Sequence, residues 1–287
     1  VIYDHLPNLI ASSDCAGEIT EKAAKELGLV KGIKVFGGGM DASLIGVGAG
    51  STELGETHIY SGSSGWVSTV TDTSAVVVTT MIAATVAAQP GKFNYFAELE
   101  TSGKCLEWVK AHIALDEVGI YIQKKHIAED FESKYLNLYQ NMPTVVDDIT
   151  AGSGGVIFTP WLHGNRCPFE DPNARGMFFN ISLDTGKTEL IRAVLEGVCY
   201  HKRWMLEASE RKVKTSDVIR FGGGGALNDL PASSLPISRD TLSKRLTVRK
   251  TWARSARRYA LQSGLTLFLR LTKLRTLSPQ KRRLSPI

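Results

Sequence analysis

Residues Val35–Gly50 read VFGGGMDASLIGVGAG. A short apolar stretch, IKVF, runs into three glycines and Met40, then Asp41, then nine residues with no side chain larger than Leu or Ile. The pattern predicts a strand, a glycine turn and a helix packed closely through its small residues. Asp41 stands at the start of that helix. Alone, an acid in this place reads as a solvated helix-start residue. Beside a phosphate-binding turn, it reads as a general base that takes the proton of an attacking hydroxyl. Two more strand ends are built the same way, Gly62–Gly65 and Gly222–Gly225. A single glycine turn means little, because tight turns explain most of them. Three at strand ends of one chain point to an anionic ligand, since glycine lets backbone N–H groups approach it closely.

Around these turns, strand and helix patterns alternate, which predicts an α/β domain. GEITEKAAKELGL reads as a short helix with Thr20 as cap and Gly28 as stop. ETHIYSGSSGWVSTV reads as two strands on a Gly/Ser turn, and AVVVTTMIAATVA as further strand. SGKCLEWVKAHI and HIAEDFESKYLNLYQNM have helical spacing, GGVIFTPWL reads as a buried strand, and KTELIRAVLEGVCYHKRWMLEASER as a long amphipathic helix. DVIRFGGGGAL is read as the last strand. The GKT at Gly186–Thr188 is not a P-loop, because Ile181 stands where the first glycine belongs; it marks a helix start. GVGAGS likewise lacks the GxGxxG spacing of a dinucleotide site. The polar loop Asn165–Gly176 holds Arg166, Asp171 and Arg175, which either fix the loop by internal ion pairs or face a cleft.

The formal net charge of +5 hides two populations. From Asn228 onward there are 14 Lys and Arg against two acids, Asp229 and Asp240; the rest has 20 basic and 27 acidic residues. An acidic globular part is joined to a basic tail. The four cysteines form no CxxC pair and the six histidines no metal motif, so free thiols and no metal site are expected. No apolar run reaches membrane-spanning length and no secretory signal is readable, so a cytoplasmic protein with no membrane contact is expected. The first residue is Val, which fits a start inside a longer protein.

VFGGGMDASLIGVGAG, SGSSGW, GGVIFTPWLHGNRCPFEDPNARGMFF, ELIRAVLEGVCY and IRFGGGGAL follow one another in this order. Together they resemble the second half of the FGGY carbohydrate kinases, in particular xylulokinase-like members, from about residue 6 to Leu227. Departures are Asn180, where the family usually has Gly, and Ser63, where Thr is usual. The resemblance implies an actin-like (ribonuclease H-like) α/β domain, the carboxy-terminal one of a two-domain sugar kinase, with ATP and sugar between the two. It implies Asp41 as general base. Gly62, Ser63, Ser64 and Gly65 correspond to the second phosphate loop, and Gly222, Gly223, Gly224, Gly225 and Ala226 to the adenosine-side loop. ATP and Mg²⁺ are the implied cofactors, and phosphoryl transfer rests on positioning and charge stabilisation. The expected organisation is a linker leading into the domain at 1–30, the domain at 31–227 and a non-family tail at 228–287. The family's amino-terminal domain has no counterpart in these residues, so an inactive half of a kinase is expected.

The tail holds one Gly but 12 Leu, 10 Arg and eight Ser, half its length in the three residue types with six codons each. Thr251–Arg258, TWARSARR, can be back-translated so that the frame starting at the third base reads VGAVGAA. The Gly after the first Val is forced, because Trp has a single codon and Ala always begins GC; the other codons are choices. That peptide resembles the family at the right distance, which implies a frameshift close to Leu227 and a tail without stable order. The alternative reading is an actin-like scaffold or nucleotide-binding module with a basic nucleic-acid-binding tail. Such a tail binds polyanions non-specifically in either case.

Overall fold

The computed structural model describes residues 7–113, 146, 148–227 and 245–248. Helix α1, Glu21–Leu27, begins where the Thr20 hydroxyl accepts the Ala23 N–H at 3.3 Å and ends at Gly28 with φ 66°. Both caps fall where their chemistry predicts them. Strands β1, Cys15–Glu18, and β2, Lys34–Phe36, flank this helix and pair antiparallel. That pairing runs across the expected boundary at residue 30. β2 is largely exposed.

Helix α2, Asp41–Ala49, follows the glycine turn. The main sheet is built from β3 Thr57–Ser61, β4 Gly65–Thr71, β5 Val76–Val77, β6 Ile82–Val86, β7 Phe93–Leu99, β10 Val218–Gly222 and β11 Arg245–Val248. Among the described residues their spatial order is β11-β10-β3-β4-β7-β6-β5. β11, β10 and β3 run parallel, and the strands from β3 to β5 pair antiparallel. Every residue of β4 is buried, as befits a central strand covered on both faces. Helix α3, Gly103–His112, and the long helix α4, Lys187–Glu210, pack together and cover the sheet. The core joins Val67, Ala97 and Leu99 of the sheet to Val194, Val198 and Met205 of α4. α4 starts at Gly186, whose N–H is accepted by the Glu189 carboxylate at 3.1 Å, so GKT is a helix start.

Two local readings are corrected and one is refined. GGVIFTPWL gives only a three-residue strand, β8 Ile157–Thr159, paired with β9 Met177–Phe179 outside the main sheet. Phe158 is buried while Ile157 is 48% exposed, because the hairpin offers one face to α4 and the other to solvent. AVVVTTMIAATVA is strand-rich as expected, holding β5 and β6 on either side of a 3-10 turn at Val78–Thr80 that ends on Met81 with φ 53°. In the tail, expected to lack order, Arg245–Val248 forms an edge strand on β10, so β10 is not the last strand. The open backbone edge of β10 templates any short extended segment within reach. HIAEDFESKYLNLYQNM lies outside the described residues. Among the described residues no helix is long and apolar enough to cross a membrane.

Candidate functional site

Parallel pairing sets Gly222 beside Tyr60, so the glycine turn after β10 lies against the end of β3. At Gly223, φ is 92° and a Cβ would strike the Ser61 carbonyl, with Tyr60 Cε2 at 2.9 Å. At Gly225 a Cβ would fall 2.6 Å from Ser61 Oγ. Glycine is required at both positions, at Gly223 for its positive φ as well as for space. Gly224 meets nothing within 4 Å and faces open space. Ala226 lies in the 3-10 turn Gly224–Leu227.

The β3–β4 turn is anchored differently. The Gly62 N–H donates to the Ser64 carbonyl at 2.9 Å. The Gly62 carbonyl accepts from Gly103 N–H at 2.8 Å, and the Ser63 carbonyl from Ser102 and Lys104 N–H at 3.1 Å each. The hairpin turn therefore caps the first turn of α3, whose N–H groups otherwise lack partners. Ser63 is exposed and Ser64 half-buried; their hydroxyls make no hydrogen bond among the described residues. Of the loop's backbone donors, Gly62 N–H is committed internally, so Ser63 and Ser64 carry what the loop can offer a ligand.

Asp41 is exposed at the first turn of α2, and its Oδ1 accepts the Ala42 N–H at 2.7 Å. A carboxylate there is favoured by the helix dipole. The small residues of α2 let it lie close to the sheet. A Cβ on Gly46 would sit 3.0 Å from His58 Cε1, and one on Gly50 3.5 Å from Arg220 Nε. This packing brings Asp41 near Tyr60, whose hydroxyl pKa is pushed up by burial and then by the Asp41 charge. The Tyr60 ring touches the positions a Cβ would take at both Gly62 and Gly223. The two loops thus converge around Tyr60 and Ser61, with Asp41 close to Tyr60.

Arg220 of β10 pairs with Glu56 at 2.8 Å. Glu56 Oε2 accepts the N–H groups of Thr52 and Glu53 at 2.8 and 3.0 Å, which fixes the turn leaving α2. His58 accepts from Trp66 Nε1 at 3.1 Å, and Trp66 stacks on Tyr60 with ring centroids 4.0 Å apart. In the loop Asn165–Gly176, Arg166 reaches Glu98 at 2.8 Å. Asp171 accepts from the N–H groups of Asn173 and Ala174, and Arg175 donates to the Pro172 and Ala174 carbonyls. These contacts fix the loop, chiefly through backbone rather than internal ion pairs.

The sequence reading missed Tyr60, Ser61 and Lys202. Lys202 Nζ donates to Ser61 Oγ at 2.6 Å from the buried face of α4. A signal existed: Lys202 falls at helical spacing four after Val198 and seven after Leu195, on the apolar stripe. Among the described residues no three His, Cys, Asp or Glu cluster in a way that could hold a metal ion. Cys105, Cys167 and Cys199 are buried and Cys15 is exposed, and none of the four forms a disulfide among the described residues.

Residues 58–234 match the FGGY family of carbohydrate kinases, C-terminal domain. The match begins after Asp41 and ends seven residues beyond Leu227. Xylulose kinase of Staphylococcus xylosus is 25% identical over 258 residues, 85% of this chain and 46% of the relative. Xylulose kinase of Lactococcus lactis is 29% identical over 229 residues, covering 78% and 41%. Gluconokinase of Bacillus subtilis is 25% identical over 198 residues, covering 69% and 36%. The chain spans less than half the length of these relatives. Among solved structures, a xylulose kinase from Brucella ovis aligns with a TM-score of 0.67 at 21% identity, over 92% of this chain and 51% of that one. Glycerol kinase of Plasmodium falciparum with ADP aligns with a TM-score of 0.65 at 16% identity, over 94% and 51%. The shared architecture is the actin-like α/β domain.

Proposed function

The chain belongs to the FGGY family of carbohydrate kinases, and we propose that it supplies the nucleotide-binding loops and the general base of an ATP-dependent sugar kinase. One observation carries this reading: two glycine turns meet over Tyr60 and Ser61, with Asp41 near enough for its charge to act on the Tyr60 hydroxyl. Three separate stretches of sequence converge there.

In this reading Ser63, Ser64 and the adjoining backbone hold the terminal phosphates, and Gly222–Ala226 take the adenosine side. The open space at Gly224 and the forced glycines at Gly223 and Gly225 suit a flat, bulky ligand laid on backbone. Asp41 accepts the proton of the sugar hydroxyl as it attacks, and its exposed place on a rigid helix suits that task. Bound ATP supplies the phosphoryl group, and Mg²⁺ neutralises its charge. The residues that converge here include one carboxylate, Asp41, so the ion would arrive with the nucleotide. A xylulose-type pentulose is the proposed acceptor, because several of the matched relatives are xylulose kinases.

The loops and Asp41 form one wall of a cleft, and the other wall is expected from a second domain. Residues 1–287 alone should bind MgADP weakly and phosphorylate no sugar. Calorimetry with MgADP and a coupled assay with D-xylulose test both statements. Turnover by the purified chain would overturn the half-site reading. Absence of any nucleotide binding, with the protein folded by circular dichroism, would overturn the assignment of the loops.

A further inference from the structure

Lys202 is 2% exposed, yet it carries an ammonium group on the sheet-facing side of α4. Its Nζ donates to Ser61 Oγ at 2.6 Å, and Ser61 Oγ lies 3.1 Å from Ser102 Oγ. Lys202 Cε would be 3.0 Å from a Cβ on Gly65, so its stem runs under the hairpin turn. The same Ser61 hydroxyl bears on Gly225 of the other loop. One buried ammonium therefore braces both glycine loops through a single hydroxyl.

No carboxylate lies within ion-pair distance of Lys202 among the described residues. The groups facing it are the Cys105 thiol from α3 and, on its own helix, the Cys199 thiol with His201 beside it. β3, β4 and β10 offer Ser61, Gly65 and the Phe221 ring, the last 5.9 Å from Nζ. Burial pushes the Cys105 thiol up to about 12 and that of Cys199 up to about 11. Burial pulls His201 down to about 4. All three are uncharged at neutral pH and leave the ammonium without a counter-charge. Burying an unmatched charge is costly, and an apolar side chain of similar length would fill the space without that cost. Burial accordingly pulls Lys202 down to about 8. Buried groups shifted in this way cluster at functional sites.

We propose that Lys202 is a positioning residue for polyphosphate: it holds Ser61 between the two glycine loops, and its charge is matched by the phosphates of a nucleotide lying on them. The proposal rests on the reading of those loops as a nucleotide site. Lys202 acts through Ser61 and through its field, without touching the ligand. A bound anion favours the charged lysine, so binding takes up a proton above about pH 8. Nucleotide affinity therefore falls as pH rises through that value.

The test is calorimetry of the 287-residue chain with MgADP, and with adenosine as the ligand without phosphate, between pH 7.5 and 9.5. This range stays clear of phosphate's own titration near about pH 6. The expected result is a loss of about tenfold in ADP affinity across the range, with adenosine unaffected. Lys202→Met should bind ADP about tenfold more weakly at pH 7.5 and show no further loss on raising the pH. The wild-type pH limb needs no variant, so a misfolded Lys202→Met does not blunt the test. ADP affinity flat with pH, or Lys202→Met binding ADP as wild type does, overturns the role of Lys202 and leaves the loops in place. No ADP binding by folded wild-type protein at any pH overturns the loop assignment and this inference with it.

Discussion

Acidification from pH 7 to pH 5 should remove about 4 kcal/mol of folding stability through two histidines, His58 and His201. Each is buried and each accepts a hydrogen bond from a tryptophan. Trp66 Nε1 donates to His58 Nε2 at 3.1 Å, and Trp161 Nε1 to His201 Nδ1 at 3.2 Å. The other His201 nitrogen, Nε2, lies 2.7 Å from the Cys167 carbonyl and donates to it. Protonation would turn each acceptor nitrogen into a donor facing another N–H. Burial and then the Arg220 guanidinium pull His58 from 6.5 to about 3. Burial pulls His201 to about 4, against the Cys167 carbonyl, which favours the charged form. Both folded values lie below the unfolded one, so between them the unfolded chain binds more protons. The stability is complete above about pH 6.5 and is lost as pH falls toward 4 and 3. At pH 5 each histidine contributes a loss of about 2 kcal/mol. The assay is urea unfolding followed by tryptophan fluorescence at pH 7 and pH 5, in wild type and His58→Gln. Glutamine can accept from Trp66 and takes up no proton, so the variant should lose about 2 kcal/mol less than wild type between the two pH values. Equal losses in the two proteins would refute the reasoning, because carboxylate titration is common to both.

Gly223→Ala places a Cβ against the Ser61 carbonyl at a φ of 92°; it should cost about 2 kcal/mol or more in urea unfolding and weaken MgADP binding. Gly197→Ala improves helix propensity by about 1 kcal/mol, yet its Cβ meets the Phe158 carbonyl. The net result should be a lower melting temperature, because neither α4 nor β8 can yield without opening the core. Asp41→Asn, in a kinase reconstituted with a relative's amino-terminal domain, should lower kcat by about a hundredfold or more and leave the Kd for MgADP unchanged. The DNA encoding residues 228–287 should read, in the displaced frame, as a continuous peptide carrying VGAVGAA; a stop codon or unrelated sequence there would remove the frameshift reading.

Legibility in the sequence followed the range of the physics. α1 could be read because Thr20 and Gly28 act on their own helix within a turn. The β3–β4 hairpin could be read because its Gly/Ser turn lies between two strand patterns. Period and caps say nothing about which strand lies beside which, so the separation of β8 and β9 from the main sheet was hidden. Likewise GGVIFTPWL looks apolar throughout, but its pairing partner leaves Ile157 facing solvent.

The site shows the same division. Asp41 and the glycine turns announce themselves by residue type, and the register Gly222 to Tyr60 then brings two of the turns together. What the pattern concealed is the floor beneath them. Ser61 is an unremarkable strand-end serine until β10 arrives beside it. Lys202 sits 141 residues away in sequence from the hydroxyl it binds. A charge on the apolar stripe of α4 was visible in the spacing. Its meaning was not, because a stem that reaches a surface and one that ends under a loop have the same pattern. Arg192 makes the point on the same helix: it too is buried, but Glu196 answers it at 2.8 Å, so its burial is balanced within the fold. Among the described residues Lys202 has hydroxyls, neutral thiols, a neutral histidine and a ring around it and no carboxylate. The contrast between two buried cations on one helix, one matched and one waiting, is what separates a structural charge from one whose balance is completed from outside.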